Sequence, residues 1–138
     1  MCYKLLPMST YSGVIIEESL EDKDVLRDLK IVSSRVSMVT PKHATPWLTQ
    51  WTLHTFEVTD EQAKRVAERI SGALDRSHAG SWYVDFKTER QHYIVYSNKI
   101  FFVDRSSLAQ YLEAKNYGLS LGIPPHQMDF EEDVIQGI

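Results

Sequence analysis

Hydrophobic positions along this chain change period several times, and each change marks an element. The run Val14, Ile15 and Ile16, between Gly13 and Glu18, has the length and β-branching of a short strand. Ser19 and the acidic Glu21 and Asp22 suit a helix N-terminus, and Val25, Leu26 and Leu29 fall three and four apart. This spacing predicts a short helix from Leu20 to about Leu29. From Ile31 to Thr40 the period returns to two, with Val32, Val36 and Met38 mainly opposite Ser33, Arg35, Ser37 and Val39, as in a half-buried strand. Pro41 and Pro46 bracket a polar stretch with Lys42 and His43, expected to be a loop and a candidate mobile one. Gln50 to Val58 carries Trp51 and Leu53 on one face and Phe56 and Val58 on the other, the pattern of a central strand.

The second half is read the same way. Thr59 and Gln62 have capping-box spacing, and Ala63, Val66, Ala67, Ile70 and Leu74 trace a helical stripe towards Arg76. The opposite side, Glu61, Lys64, Arg65, Glu68 and Arg69, mixes both signs and reads as a solvated face. Trp82, Val84 and Phe86 alternate with Tyr83, Asp85 and Lys87 in a strand. His92–Tyr96 and Ile100–Val103 flank Ser97, Asn98 and Lys99, with Asn98 suited to the positive φ of a tight turn. Ser106 or Ser107 can cap a last helix that runs to about Leu121, and Gly122, Ile123 and Pro124 can end it. Gly118, on the apolar side of that helix, is expected at a close approach to the sheet.

The predicted order is β-α-β-β-α-β-β-β-α. This indicates an α+β fold of two layers, a mainly antiparallel sheet with helices on one face. The first six elements follow the ferredoxin-like split β-α-β unit, to which a hairpin strand and a C-terminal helix would be added. A single domain is expected over residues 1–130. Residues 131–138, with Glu131, Glu132 and Asp133, are expected to form an acidic, partly disordered tail.

Composition narrows the function classes. The chain has 138 residues, 43% hydrophobic and 25% charged, the balance of a folded domain. Its lone Cys2 can form no internal disulfide, which fits a reducing compartment, and no run of apolar residues reaches the length of a signal peptide or a membrane span. A cytoplasmic location with no membrane partner is the expectation. Met8, followed by Ser9 and Thr10, offers an alternative start that would make Met1–Pro7 an appendage. The net charge of −4 and the interleaving of basic with acidic side chains argue against nucleic acid as a partner.

Four segments carry a resemblance. Gly13-Val14-Ile15-Ile16-Glu17-Glu18-Ser19-Leu20, Thr45-Pro46-Trp47 with Gln50-Trp51-Thr52-Leu53-His54-Thr55, Trp82-Tyr83-Val84-Asp85-Phe86, and Tyr117-Gly118-Leu119-Ser120-Leu121-Gly122-Ile123-Pro124 together resemble a group of short prokaryotic proteins described only as uncharacterised. The resemblance implies no activity, ligand or catalytic residue.

Familiar catalytic signatures are absent: there is no P-loop, G-x-G-x-x-G, G-x-S-x-G, H-E-x-x-H or C-x-x-C. Neither Gly72 nor Gly80 sits in a pyrophosphate loop of the kind an acyl-CoA transferase would want. Of the five histidines only His54 and His92 fall in predicted strands. Either could join Asp85 in acid–base chemistry or in a metal site, but no short-range ligand spacing supports a metal, and none is expected; nor is a cofactor. Asp104 is explained by the start of the last helix. Trp47, Trp51, Trp82, Tyr83, Tyr93, Tyr96, Phe101 and Phe102 gather on the loop and strands, where aromatic side chains can line a pocket or an interface as well as pack a core.

Two functions are therefore carried forward. The first is a non-catalytic binding or assembly module, in which an aromatic-lined sheet face or the loop from Pro41 to Pro46 holds a small molecule or, as a homodimer, a second copy. The second is a small enzyme using strand-borne His54 or His92 with a carboxylate, with or without a bound metal. The expected ligand-binding residues are Trp51, His54, Trp82, Asp85 and His92, with His54 the titratable group nearest the ligand.

Overall fold

The computed structural model describes residues 10–43, 45–77 and 81–134. Six strands, β1 (Thr10–Ile16), β2 (Lys30–Met38), β3 (Gln50–Thr59), β4 (Tyr83–Lys87), β5 (Gln91–Tyr96) and β6 (Lys99–Asp104), form one sheet in the order β2-β3-β1-β4-β5-β6. Every neighbouring pair is antiparallel. Two α-helices accompany it among the described residues, α1 (Asp60–Ala73) and α2 (Leu108–Ser120). The α+β class with an antiparallel sheet is thus as the pattern predicts, and β4-β1-β3-β2 is the strand order of the split β-α-β unit.

The β1-to-β2 crossover departs from the expected helix. It is built of two 3₁₀ segments, Glu17–Ser19 and Lys23–Asp28. Leu20 is held instead in an isolated bridge to Leu74, with Glu21 N–H donating to the Ala73 carbonyl at 2.7 Å and Asp75 N–H to that of Ser19 at 2.7 Å. These long-range bonds commit the backbone where the helix would begin. The Asp22 carboxylate then accepts from Asp24 N–H at 2.9 Å, starting a tight turn rather than a helix. Val25 and Leu29 are nevertheless buried, so the apolar spacing found its core without the regular helix.

β2 also departs from expectation. It is the outermost strand, bulged between Ile31 and Ser33, and Ile31, Val32, Val36 and Met38 are exposed rather than half-buried. β3 lies between β2 and β1, in the interior of the sheet as expected.

α1 buries Ala63, Val66, Ala67 and Ile70 of the predicted stripe, together with Ala73, against Tyr11, Ile15, Phe56, Val58, Val84, Phe86, Tyr93 and Val95 of the sheet, and Leu74, the last residue of that stripe, is buried at its C-cap. Each large apolar side chain fully withdrawn from water here contributes about 1.5–3 kcal/mol before entropy is counted. Thr59 takes the N-cap position without a side-chain capping bond, and Asp60 and Glu61 supply the acidic first turn.

β5 is apolar on both faces, and this decides where α2 goes. Tyr93 and Val95 face α1, whereas Ile94 and Tyr96 pack with Val103, Tyr111, Ala114, Met128 and Phe130 on the other side. The two-layer arrangement of α1 on the sheet therefore gains a partial cover over the opposite face at its β5–β6 end. The β5–β6 turn places Asn98 at φ 61°, as predicted. Ser107 caps α2 by accepting from Gln110 N–H at 3.2 Å. Gly122, at φ 90°, ends it, with Ile123 N–H donating to the Gly118 carbonyl at 3.1 Å and Gly122 N–H to that of Leu119 at 3.0 Å. A Cβ on Gly118 would collide with Met128 and the Tyr96 hydroxyl, so α2 reaches the sheet only because this residue is glycine.

The first residues of the expected tail continue a 3₁₀ turn, Phe130–Asp133, that begins in the domain; the Asp133 carboxylate accepts from Lys87, and its carbonyl accepts from the Arg105 guanidinium at 3.2 Å. Residues 135–138 lie outside the described residues, as do Cys2, the Met8 start and His78.

Candidate functional site

The part of the second face that α2 leaves uncovered becomes the floor of a cavity of 340 Å³. Side chains that alternate away from α1 provide this floor: Val14 and Ile16 of β1, Trp51 and Leu53 of β3, and Tyr83 and Asp85 of β4. One wall is the β2–β3 connection with His43, Thr45 and Trp47, and the other is the chain just after α2, with Gly122, Ile123, Pro124 and Gln127.

The two walls are tied together. Gln127 Nε2 donates to the carbonyls of His43 at 3.1 Å and Lys42 at 3.4 Å, and His126 Nε2 donates to that of Lys42 at 3.0 Å. Pro41–His43 form a 3₁₀ turn, and His43 Nδ1 accepts from Thr40 N–H at 2.8 Å, which puts that ring's own proton on Nε2. The imidazole packs edge-on to Trp51 at 4.3 Å between ring centres, and Trp51 Nε1 donates to the Thr45 hydroxyl at 3.1 Å. Trp82, where the chain joins β4, meets Trp51 at 5.6 Å. The Tyr83 hydroxyl donates to the Gln127 carbonyl, and burial, with Asp85 adding to it, pushes this phenol well above its ordinary pKa. Among the described residues, His43 and Asp85 are the only histidine and the only carboxylate of the lining.

Behind Asp85 stands a line of buried donors. His92 Nε2 lies 2.6 Å from Asp85 Oδ2, and His92 Nδ1 lies 2.8 Å from the Tyr111 hydroxyl. The His92 side chain is 0% exposed and that of Asp85 34%. Burial pushes the Tyr111 phenol up to about 12, and the Arg105 guanidinium beside its oxygen opposes that rise. A guanidinium only donates. The phenolic proton therefore points away from Arg105, to His92 Nδ1, and the remaining imidazole proton sits on Nε2 and is donated to Asp85.

Strand parity separates the expected site residues. Trp51, Trp82 and Asp85 line the cavity, and His92 joins them only through Asp85. His54 pairs with Ile15 on the α1 face of the sheet and lies outside the lining. Its Nε2 contacts Glu17 Oε1 at 2.8 Å and its Nδ1 the Ser34 hydroxyl at 2.6 Å. Next to it, Glu18 accepts from Thr52 N–H at 2.6 Å and from the Thr52 hydroxyl at 2.8 Å. Since β1 ends at Ile16, opposite Leu53, that N–H has no further strand partner on its side. His43 and Thr45 belong to the Pro41–Pro46 loop, one of the two expected holders of a ligand, though neither is among the expected site residues; sequence reasoning did not include the segment 122–127, for which the available signal was the helix stop at Gly122 that turns the chain back over the sheet. Among the described residues, no three His, Cys, Asp or Glu side chains gather where they could hold a metal ion. Nor is any helix among them long and apolar enough to cross a membrane.

Chemically, the arrangement offers an aromatic container with one carboxylate whose second oxygen, Oδ1, has no hydrogen-bond partner among the described residues. The imidazole is shut behind that carboxylate and does not line the space a ligand would occupy. No protein-family model, curated protein or solved structure matches the chain.

Proposed function

We propose that the chain is a non-catalytic binding module that holds a small molecule in the cavity between its two tied walls. The observation that carries this reading is the union of an apolar, tryptophan-rich lining with a single carboxylate fixed from behind, the composition of a site that encloses a ligand's body and orients one polar group. Titrating a fragment collection while following tryptophan emission tests it. Binders should quench the wild type, raise its melting temperature and lose affinity at least tenfold in Trp51→Leu. An absence of any binder at millimolar concentration would sink the reading.

The enzymatic alternative draws its support from the 2.6 Å Asp85–His92 contact. It would make Asp85 the group that exchanges a proton with substrate, with His92 behind it. Turnover of a bound fragment that disappears in Asp85→Asn would favour it over simple binding.

For the assembly role, β2 supports a homodimer: its outer edge is unpaired among the described residues and its Val36 and Met38 are exposed. A second copy pairing antiparallel along β2 would cover both. Light scattering at tens of micromolar should give a dimer that Val36→Lys with Met38→Lys dissociates, and a monomeric wild type would refute it.

A further inference from the structure

Building on the proposed binding role, we infer that the ligand of this cavity is a small organic cation, a protonated or quaternary amine on an apolar stem, caged by Trp51, Trp82 and Tyr83 and neutralised by Asp85. Three observations converge on this class.

The first is charge. Asp85 is the single acidic side chain of the lining, and its Oδ1 remains without a partner among the described residues while Oδ2 is held by His92. Because a guanidinium can only donate, the line of donors from Arg105 through Tyr111 and a neutral His92 runs in one direction and ends on Asp85. Each donor's dipole in this line ends on the Asp85 carboxylate and holds it in place from behind.

The second is the aromatic faces. Indole is the best ring for holding a cation, and Trp51 and Trp82 meet with their planes tilted 58° and their centres 5.6 Å apart, so they form two sides of a corner rather than a flat stack. Tyr83 and Asp85 are alternate residues of β4 and face the same side of the sheet. The third is the lack of competing positive charge: among the described residues no Lys or Arg lines the space, and His43 Nδ1 is taken up as an acceptor from Thr40 N–H. A carboxylate or phosphate ligand would find no cation to meet it. A free small molecule fits better than a side chain of a large partner, because the hydrogen bonds of Gln127 and His126 join the walls.

The test uses probes of matched shape and different charge, with calorimetry and tryptophan quenching on the full chain: benzyltrimethylammonium, its neutral carbon isostere neopentylbenzene, and phenylacetate. Benzyltrimethylammonium should bind at least tenfold more tightly than the neutral probe, and phenylacetate should not bind. Asp85→Asn, which keeps an oxygen for His92, should bring the two uncharged-site affinities within threefold of each other. Tyr111→Phe should reduce the preference for the cation over its neutral isostere by a smaller factor while leaving the affinity for the neutral probe unchanged, a split that a merely packing role would not produce. Equal affinity for the cation and its neutral isostere would overturn the charge assignment and leave the binding role standing; failure of all three probes, together with a fragment collection that yields no binder, would overturn both.

Discussion

On the face covered by α1, the sheet is closed by hydrocarbon and aromatic contacts: Phe86 lies 5.7 Å from Phe56, 5.8 Å from Tyr11 and 5.2 Å from Tyr93, ring centre to ring centre, and each of the four is buried. On the other face the same strands carry His92, Asp85, Tyr83 and Trp51, the cover stops partway, and polar groups are satisfied by long-range hydrogen bonds. The difference shows how one antiparallel sheet divides its work by parity. Odd and even positions of β4 and β5 face different solvents, one a packed core and the other a partly open cavity, so stability and recognition can be changed separately.

The strongest way to break that division is Phe86→Ala. It should cost about 3–5 kcal/mol of stability, read from urea unfolding, while the fraction that remains folded keeps its ligand affinity. Loss of affinity without loss of stability would mean that the faces are not independent.

Alkaline pH probes both faces at once. Tyr11, on the α1 face, and Tyr111, on the other, are each pushed from 10.0 to about 12 by burial. A phenol whose folded pKa is raised holds its proton more tightly in the folded state, so its contribution is complete below pH 10 and is lost as the pH climbs from there towards 12. Unfolding midpoints measured from pH 9 to 11.5 should fall accordingly, and Tyr11→Phe and Tyr111→Phe should each flatten the slope. A midpoint that is constant over this range would contradict the burial of both hydroxyls.

At neutral pH, Tyr111→Phe should cost about 1–3 kcal/mol by leaving His92 Nδ1 without its donor. Asn98→Ala, at φ 61°, should cost about 1 kcal/mol wherever the ligand stands, because the strain is in the backbone of a turn. Asp85→Asn, which keeps an oxygen for His92 but turns a charge-assisted bond into a neutral one, should cost about 1 kcal/mol in stability and show its larger effect in binding.

Much of this division can be read in the sequence, and its limits are physical. The hairpin at Asn98, the α1 stripe and the stop at Gly122 are local: each depends on a residue's own backbone preference or on spacing within one element. The crossover helix failed because Leu20, Glu21 and Asp75 found backbone partners more than fifty positions away, which no local pattern contains. His54 was different. It lies three positions from Trp51 on one strand, so alternation alone places them on opposite faces, and the parity already visible in β3 argued against putting both in one site. Asp85 and His92 come together through the β4–β5 pairing of Lys87 with His92 and Asp85 with Ile94, a register that the short turn between the strands sets.

The bond between the cavity walls also has a consequence for when the site can exist. Lys42 and His126 are 84 positions apart, and Lys42 and Gln127 are 85 apart. During synthesis the floor can form as soon as β4 has paired with β1, but the second wall is missing until residue 127 has left the ribosome. Closing so long a span is among the slower steps available to a chain of this size. A ligand therefore cannot template the early folding of this protein; it can only select and retain molecules that have already been finished.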